Sequence, residues 1–179
     1  MVYIIETKRL WIRGLDEWDS EALTGLGKDE TPGDIFQGWE SCKGKLEKWL
    51  NEVSGLYLTD SPQKAFLPYG IVEKSSGKLV GAVGCRAFEG TGRARITYLI
   101  GSGFRGNGYA AEAVAAYTDY FFSKYPGIRE VTAAINPENL PSIRTAERAG
   151  YRFARKALYR DINDKRPREY CFYRAERRV

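Results

Sequence analysis

The segment Arg105-Gly106-Asn107-Gly108-Tyr109-Ala110 lies between an apolar run, Ile96 to Ile100, and an alanine-rich stretch, Ala110 to Phe122. A strand, a glycine turn and a helix start in that order form a cradle for phosphate. Main-chain N–H groups of a first helical turn have no intrahelical partner, and the helix dipole adds about half a positive charge there. Gly106 and Gly108 carry no Cβ to hold an anion away from these amides, and the small Ala110 and Ala111 let the helix begin close to the strand. The chemistry predicted for this segment is the binding of a diphosphate.

Spacing separates three signatures that compete for these residues. A P-loop requires Lys and then Ser or Thr after its last glycine, whereas Gly108 is followed by Tyr109-Ala110. A dinucleotide fingerprint is formally present as Gly101-Ser102-Gly103-Phe104-Arg105-Gly106. It lacks the acidic residue that should close the next strand about 20 residues on, because the strand ending near Ile135 runs into Asn136-Pro137. The third pattern, Arg/Gln-x-x-Gly-x-Gly/Ala, is met by Arg105, Gly108 and Ala110, and it resembles the acetyl-CoA-binding motif of the GNAT N-acetyltransferase superfamily.

Two other stretches are similar to the Rim-type branch of that superfamily, whose members acetylate the N-termini of ribosomal proteins. Glu6 to Arg13 resembles the branch's first strand, and Asn136 to Ser142 with Glu147 to Tyr151 resembles its second signature. The resemblance implies acetyl-CoA as co-substrate and direct transfer of its acetyl group to an amine. It implies that Arg105, Gly106, Asn107, Gly108, Tyr109 and Ala110 hold the diphosphate. The pantetheine arm would enter between strands that part near Ile100 and Ile135, against backbone near Tyr98 and Ile100. By the same resemblance Ser142 protonates the departing sulfur, or orients a water that does, and Asn139 contacts the pantetheine. Asn139 also reads as a plain helix cap, accepting the Ser142 N–H, and the two roles are compatible.

The resemblance departs at the general base. The branch places a carboxylate on the strand before the cradle, and register with Ile96 and Tyr98 puts Arg95 there, which cannot accept a proton near neutrality. Glu73, Glu89 and Glu112 are the substitutes. An α-amine, with a pKa of about 8 against about 10.4 for lysine, is already about 10% neutral at pH 7 and needs little help, so the expected acceptor is a protein N-terminal α-amine. A small amine such as an antibiotic, polyamine or amino acid keeps the same chemistry. A non-catalytic CoA-binding module keeps only the cradle. Arg95 itself reads either as a surface ion pair or as a site for an acceptor carboxylate or phosphate.

Composition narrows the rest. With 179 residues, 43% of them apolar, the chain suits a single domain over 1–179. No apolar run approaches the roughly 20 residues of a membrane span, and no secretion signal opens the chain, so a cytoplasmic protein is expected. The absence of histidine removes Ser-His and Cys-His nucleophile pairs, and Cys42, Cys85 and Cys171 are too few and too scattered to suggest a metal or disulfides. Of the net charge of +5, residues 144–179 hold 12 Lys/Arg against 5 Asp/Glu. That excess reads as a solvated face, as attraction for CoA, or as a docking surface for an acidic partner such as a ribosomal surface. No helix-turn-helix or zinc-finger pattern accompanies it, so direct nucleic-acid readout is not expected.

The elements that must position these residues form an α+β, GNAT-like fold, with a mixed, mostly antiparallel sheet of six or seven strands and helices on both faces. Strands are predicted at 3–13, 66–74, 79–88, 93–100, 129–135, 151–160 and 168–175. Ser75 to Lys78 and Asn163-Asp164 supply hairpin turns. Helices are predicted at 16–26, capped by Asp16, and at 40–53, 108–124 and 140–149, the last stopping at Gly150. Phe36 and Trp39, beside the loop Lys28 to Gly38, read as acceptor-pocket lining or as core.

Overall fold

The computed structural model describes residues 3–26, 48, 50–53, 55, 57–58, 61–63, 66–161 and 164–178. Its sheet has eight strands, one more than the largest number expected, because the first predicted strand is two. The Thr7 N–H donates to the Leu10 carbonyl at 2.9 Å and the Leu10 N–H to Thr7 Oγ1 at 2.9 Å. This tight turn folds β1 (Tyr3–Glu6) antiparallel onto β2 (Leu10–Gly14). The other predicted strands match β3 (Leu67–Glu73), β4 (Leu79–Phe88), β5 (Arg93–Ile100), β6 (Glu130–Ile135), β7 (Arg152–Tyr159) and β8 (Arg168–Glu176). The β3–β4 turn holds Gly77 at φ +67°, a left-handed conformation that glycine adopts without strain. Asn163 of the other expected turn lies outside the described residues, as do the loop 28–38, Trp39 and Cys42.

The strand order is β1-β2-β3-β4-β5-β6-β8-β7, and every pairing is antiparallel except β5 with β6. Helix α1 (Ser20–Leu26) follows a short 3-10 turn whose Asp16 cap forms a full capping box with Asp19. Helix α2 (Tyr109–Lys124) makes the crossover from β5 to β6, and α3 (Leu140–Arg148) follows β6. Of the predicted helix 40–53, residues 48 and 50–53 are described and helical.

Successive residues of a strand face opposite sides of a sheet. On β3, Ile71 joins the core under α2 with Val114, Tyr117 and Phe121, while the adjacent Val72 joins Leu23, Leu26 and Leu50 on the other face. Helices therefore cover both faces. Cys85 and Cys171 are free and buried, and burial pushes the Cys85 thiol well up. Among the described residues no helix is long and apolar enough to cross a membrane.

A two-bond ion pair anchors α1 to the sheet. Arg13 Nη1 and Nη2 reach Asp19 Oδ2 and Oδ1, both at 2.7 Å, with the two residues only 6% and 5% exposed. Removing one partner of such a pair strands a buried charge. Asp19→Ala is expected to destabilise the fold by about 3–5 kcal/mol in urea titration; a loss below about 1 kcal/mol would show that water or another group neutralises Arg13.

Candidate active site

The cradle residues adopt the shape their sequence predicts, for a partly different reason. Gly106 and Gly108 have φ of +81° and +77°, so both are required for backbone conformation. Among the described residues, a Cβ on Gly106 would meet nothing within 4 Å, and one on Gly108 would meet only Arg9 Nη2 at 3.5 Å. Gly108 is the N-cap of α2, and no side chain of the described residues caps that end. The N–H groups opening the helix donate to none of the described residues, which leaves them and the dipole directed at the turn. The formal dinucleotide fingerprint forms instead the short 3-10 turn Ser102–Phe104, and the helix begins only at Tyr109.

The turn is braced from both sides. Arg105 Nε donates to the Ile100 carbonyl at 3.0 Å, and Asn107 Nδ2 to the Phe104 carbonyl at 3.1 Å. Arg9, which sequence reasoning missed, donates from Nη1 to the Asn107 carbonyl at 2.8 Å and lies over the Tyr109 ring at 4.9 Å. Its charge is matched by Glu112 Oε2, 2.7 Å from both Nε and Nη2. Thr7 Oγ1 donates to Glu112 Oε1 at 2.6 Å. The Tyr109 hydroxyl donates to Glu73, which also accepts from Ser76 Oγ at 2.5 Å.

Two of the three substitute bases are thus occupied in holding the helix start. Burial pushes the Glu112 carboxyl up, but the hydrogen bonds from Thr7 and Arg9 outweigh it and hold the group below the usual carboxylate range. Hydrogen bonds from Ser76 and Tyr109 hold Glu73 down as well. A carboxylate held down is a weaker base. Glu89 is exposed.

A gap opens beside the cradle. The parallel strands pair only at Arg93–Glu130, Ala94–Val131 and Arg95–Thr132. From there β5 stays with β4 as far as Ile100, and β6 stays with β8 as far as Ile135. Among the described residues, the edge of β5 from Ile96 to Ile100 is left without a strand neighbour on the β6 side. Tyr98 and Ser142 meet across this gap: the Tyr98 hydroxyl donates to the Ser142 carbonyl at 2.9 Å, and Ser142 Oγ donates to the Tyr98 hydroxyl at 3.0 Å. Burial pushes the Tyr98 phenol up to about 12, with the Ser142 hydrogen bond opposing it, so it is a neutral donor near pH 7. Only the Tyr98 backbone was singled out from sequence; its side-chain partner is 44 residues away. Asn139 Oδ1 accepts the Ser142 N–H at 3.1 Å, the expected cap.

Arg95 occupies the last rung before the strands part. No ion pair with a carboxylate forms there among the described residues, contrary to one expectation for this arginine. Its guanidinium lies over the rings of Tyr159 and Phe88, 4.5 and 5.3 Å from the centroids. No group of three or more potential metal ligands occurs among the described residues.

A family model described as "Acetyltransferase (GNAT) domain" matches residues 9–152. An uncharacterized N-acetyltransferase, p20 of Bacillus licheniformis, is 32% identical over 94 residues, which are 52% of this chain and 51% of that protein. The match thus spans about half the length of that relative. RimL, a ribosomal L7/L12 alpha-N-protein acetyltransferase solved with coenzyme A, superposes with a TM-score of 0.79 at 17% identity, covering 98% of each chain. A chimera of spermidine N-acetyltransferase SpeG from Vibrio cholerae and hSSAT gives a TM-score of 0.73 at 15% identity, covering 93% of this chain and 95% of that one.

The Thr7–Arg9–Glu112 tie carries its own pH signature. A folded-state pKa below the unfolded value of about 4.3 stabilises the protein above that pH, and the stabilisation disappears as pH falls through the folded value. Glu112→Gln is expected to lower the melting temperature at pH 7 and to narrow the gap to wild type toward pH 3. A gap that is constant with pH would assign the loss to packing alone.

Proposed function

Since the chain belongs to the GNAT acetyltransferase family, we propose that it transfers an acetyl group from acetyl-CoA directly to a primary amine, with a protein N-terminal α-amine as the acceptor. The observation that carries this reading is the opening between β5 and β6 beside an uncapped helix start. The residues there fit CoA. The amides of the turn and of Tyr109 and Ala110 would take the diphosphate, and the free edge of β5 from Ile96 to Ile100 would take the amide groups of the pantetheine arm. Asn139, at the far side of the gap, would border that arm while capping α3. When bound, acetyl-CoA supplies the thioester that the amine attacks.

The chain's own groups would handle protons at the gap. Ser142 and Tyr98 form a pair of hydroxyls in which each donates to the other residue, so a small rotation of either offers a proton to an anion placed between the strands. Neither is a strong acid. Their contribution is a hydrogen bond that strengthens as negative charge develops, in a site partly screened from water.

The choice of acceptor rests on basicity. Arg95 stands where a carboxylate base was expected, and Glu73 and Glu112 are held in their weakly basic state by hydrogen bonds. Such a site suits an amine that is already partly neutral, which favours an α-amine over a lysine side chain by more than two orders of magnitude in neutral fraction. RimL acts on a protein α-amine, which supports the same choice. The spermidine enzyme keeps a small amine as the second reading.

Thiol release from acetyl-CoA should be detected with N-terminal peptides and exceed that with polyamines or Nα-blocked lysine peptides; turnover restricted to small amines would select the second reading, and CoA binding without turnover would leave a binding module. Gly108→Glu, which strains the φ +77° backbone and sets a carboxylate at the turn, should weaken CoA binding by about tenfold or more; unchanged affinity would move the diphosphate elsewhere. Ser142→Ala should lower kcat on the order of 10²-fold with little change in CoA affinity, and equal rates would remove Ser142 from the reaction.

A further inference from the structure

We propose that Arg95 binds an anionic group of the acceptor, so that the protein selects amines that carry a carboxylate. The inference rests on the reading of the gap as the acyl-transfer site and names the class of acceptor that enters it.

Four observations lead to Arg95. It sits on β5 at the rung where pairing with β6 ends, on the sheet face opposite Ala94 and Ile96, so it borders the inner end of the gap on that face. Its Nε is buried and has no hydrogen-bond partner among the described residues, which is costly for a charged donor. No carboxylate among the described residues neutralises it, while Arg86 stands directly opposite on β4, a cross-strand pairing of like charges that works against the sheet. The group is nonetheless held in place, over Tyr159 from the β7–β8 hairpin and Phe88 from β4. Stacking on aromatic rings leaves the edge of a guanidinium for hydrogen bonding.

A fixed cation with unused donors, maintained against two unfavourable terms, is the pattern of a functional position. The surrounding charges agree. Arg174, one strand beyond Thr132 in the same row, is committed to Glu130 and Glu176 at 3.7 and 3.4 Å, and Arg93 to Glu130 at 3.2 Å. Arg95 is thus the member of this row that is central, ring-stacked and free of a carboxylate partner. A planar carboxylate accepts two parallel hydrogen bonds from such a fork. The same positive charge disfavours a protonated amine beside it, so the acceptor must present its anion to Arg95 on one face of the sheet and extend its neutral amine through the gap toward Tyr98 and Ser142 on the other.

The test uses the full chain saturated with CoA and measures binding as well as turnover. Probes are aspartate, glutamate and peptides opening Ala-Asp or Ala-Glu, each against its amide counterpart, with phosphoethanolamine against ethanolamine to separate phosphate from carboxylate. The wild type is expected to bind at least one carboxylate probe about tenfold or more better than its amide. Arg95→Gln should abolish that ratio through KM, Arg95→Lys should keep part of it, and CoA affinity should be unchanged in both. Equal binding of acids and amides by the wild type, a ratio that survives Arg95→Gln, or a preference confined to phosphoethanolamine would each overturn the proposal. Failure of CoA itself to bind would be seen separately and would overturn the acyl-transfer reading instead.

Discussion

Everything that can happen at the site depends on two parallel strands that stop pairing after three rungs. An unpaired strand edge inside a fold is ordinarily a liability, because buried main-chain donors and acceptors need partners. Here the separation is sustained from outside. β5 is paired to β4 along its whole length and β6 to β8 along its whole length, so each strand is registered by its outer neighbour and neither needs the other beyond Arg95 and Thr132. The cleft is a consequence of topology rather than of a cavity left by small side chains. Its inner wall offers backbone hydrogen bonds in a row, which suits an extended ligand that carries amides.

Around that opening the protein arranges charge in layers. The helix start and the glycine turn contribute partial positive charge from the backbone, and Arg9 braces the same turn through its carbonyl at Asn107. Glu112 balances Arg9 without reaching the turn's amides, since its oxygens are taken by Thr7, by the Arg9 N–H and by the Arg9 guanidinium. Negative charge at the helix entrance is thereby tied to Thr7 and Arg9, where it stabilises structure and would not compete for the proposed anion site. The two carboxylates nearest the turn contribute to architecture, and under the proposed acyl transfer proton handling would fall to neutral hydroxyls and to the acceptor's own basicity.

The sequence carried this plan wherever the determining interactions are local. The Ser75–Lys78 hairpin, the Asp16 and Asn139 caps and the paired glycines of the cradle are decided by residues within a few positions of each other; the hairpin and the caps are found as expected, and the glycines form the expected turn through their positive φ. Features decided by distant partners were not legible. The break of the first strand at Thr7 is local, yet what fastens it is Glu112, 105 residues away. The meeting of Tyr98 with Ser142 requires the crossover through α2 to return β6 to β5. The setting of Arg95 requires Tyr159, which arrives only with the last hairpin, so in the linear chain this arginine resembles any half-exposed strand residue.

The last hairpin has a further consequence. Among the described residues β7 is the outermost strand of the sheet, paired on one side with β8 only, and most of its length is exposed, with Phe153 and Leu158 protruding 54% and 77% exposed. A free margin of this kind invites a second molecule to add itself as a ninth strand. Arg152, Arg155 and Lys156 stand along it, and positive side chains on such a margin repel an identical copy. Part of the basic excess of the C-terminal region would in this light work against self-association. Removing that charge would be expected to show as clumping of the protein.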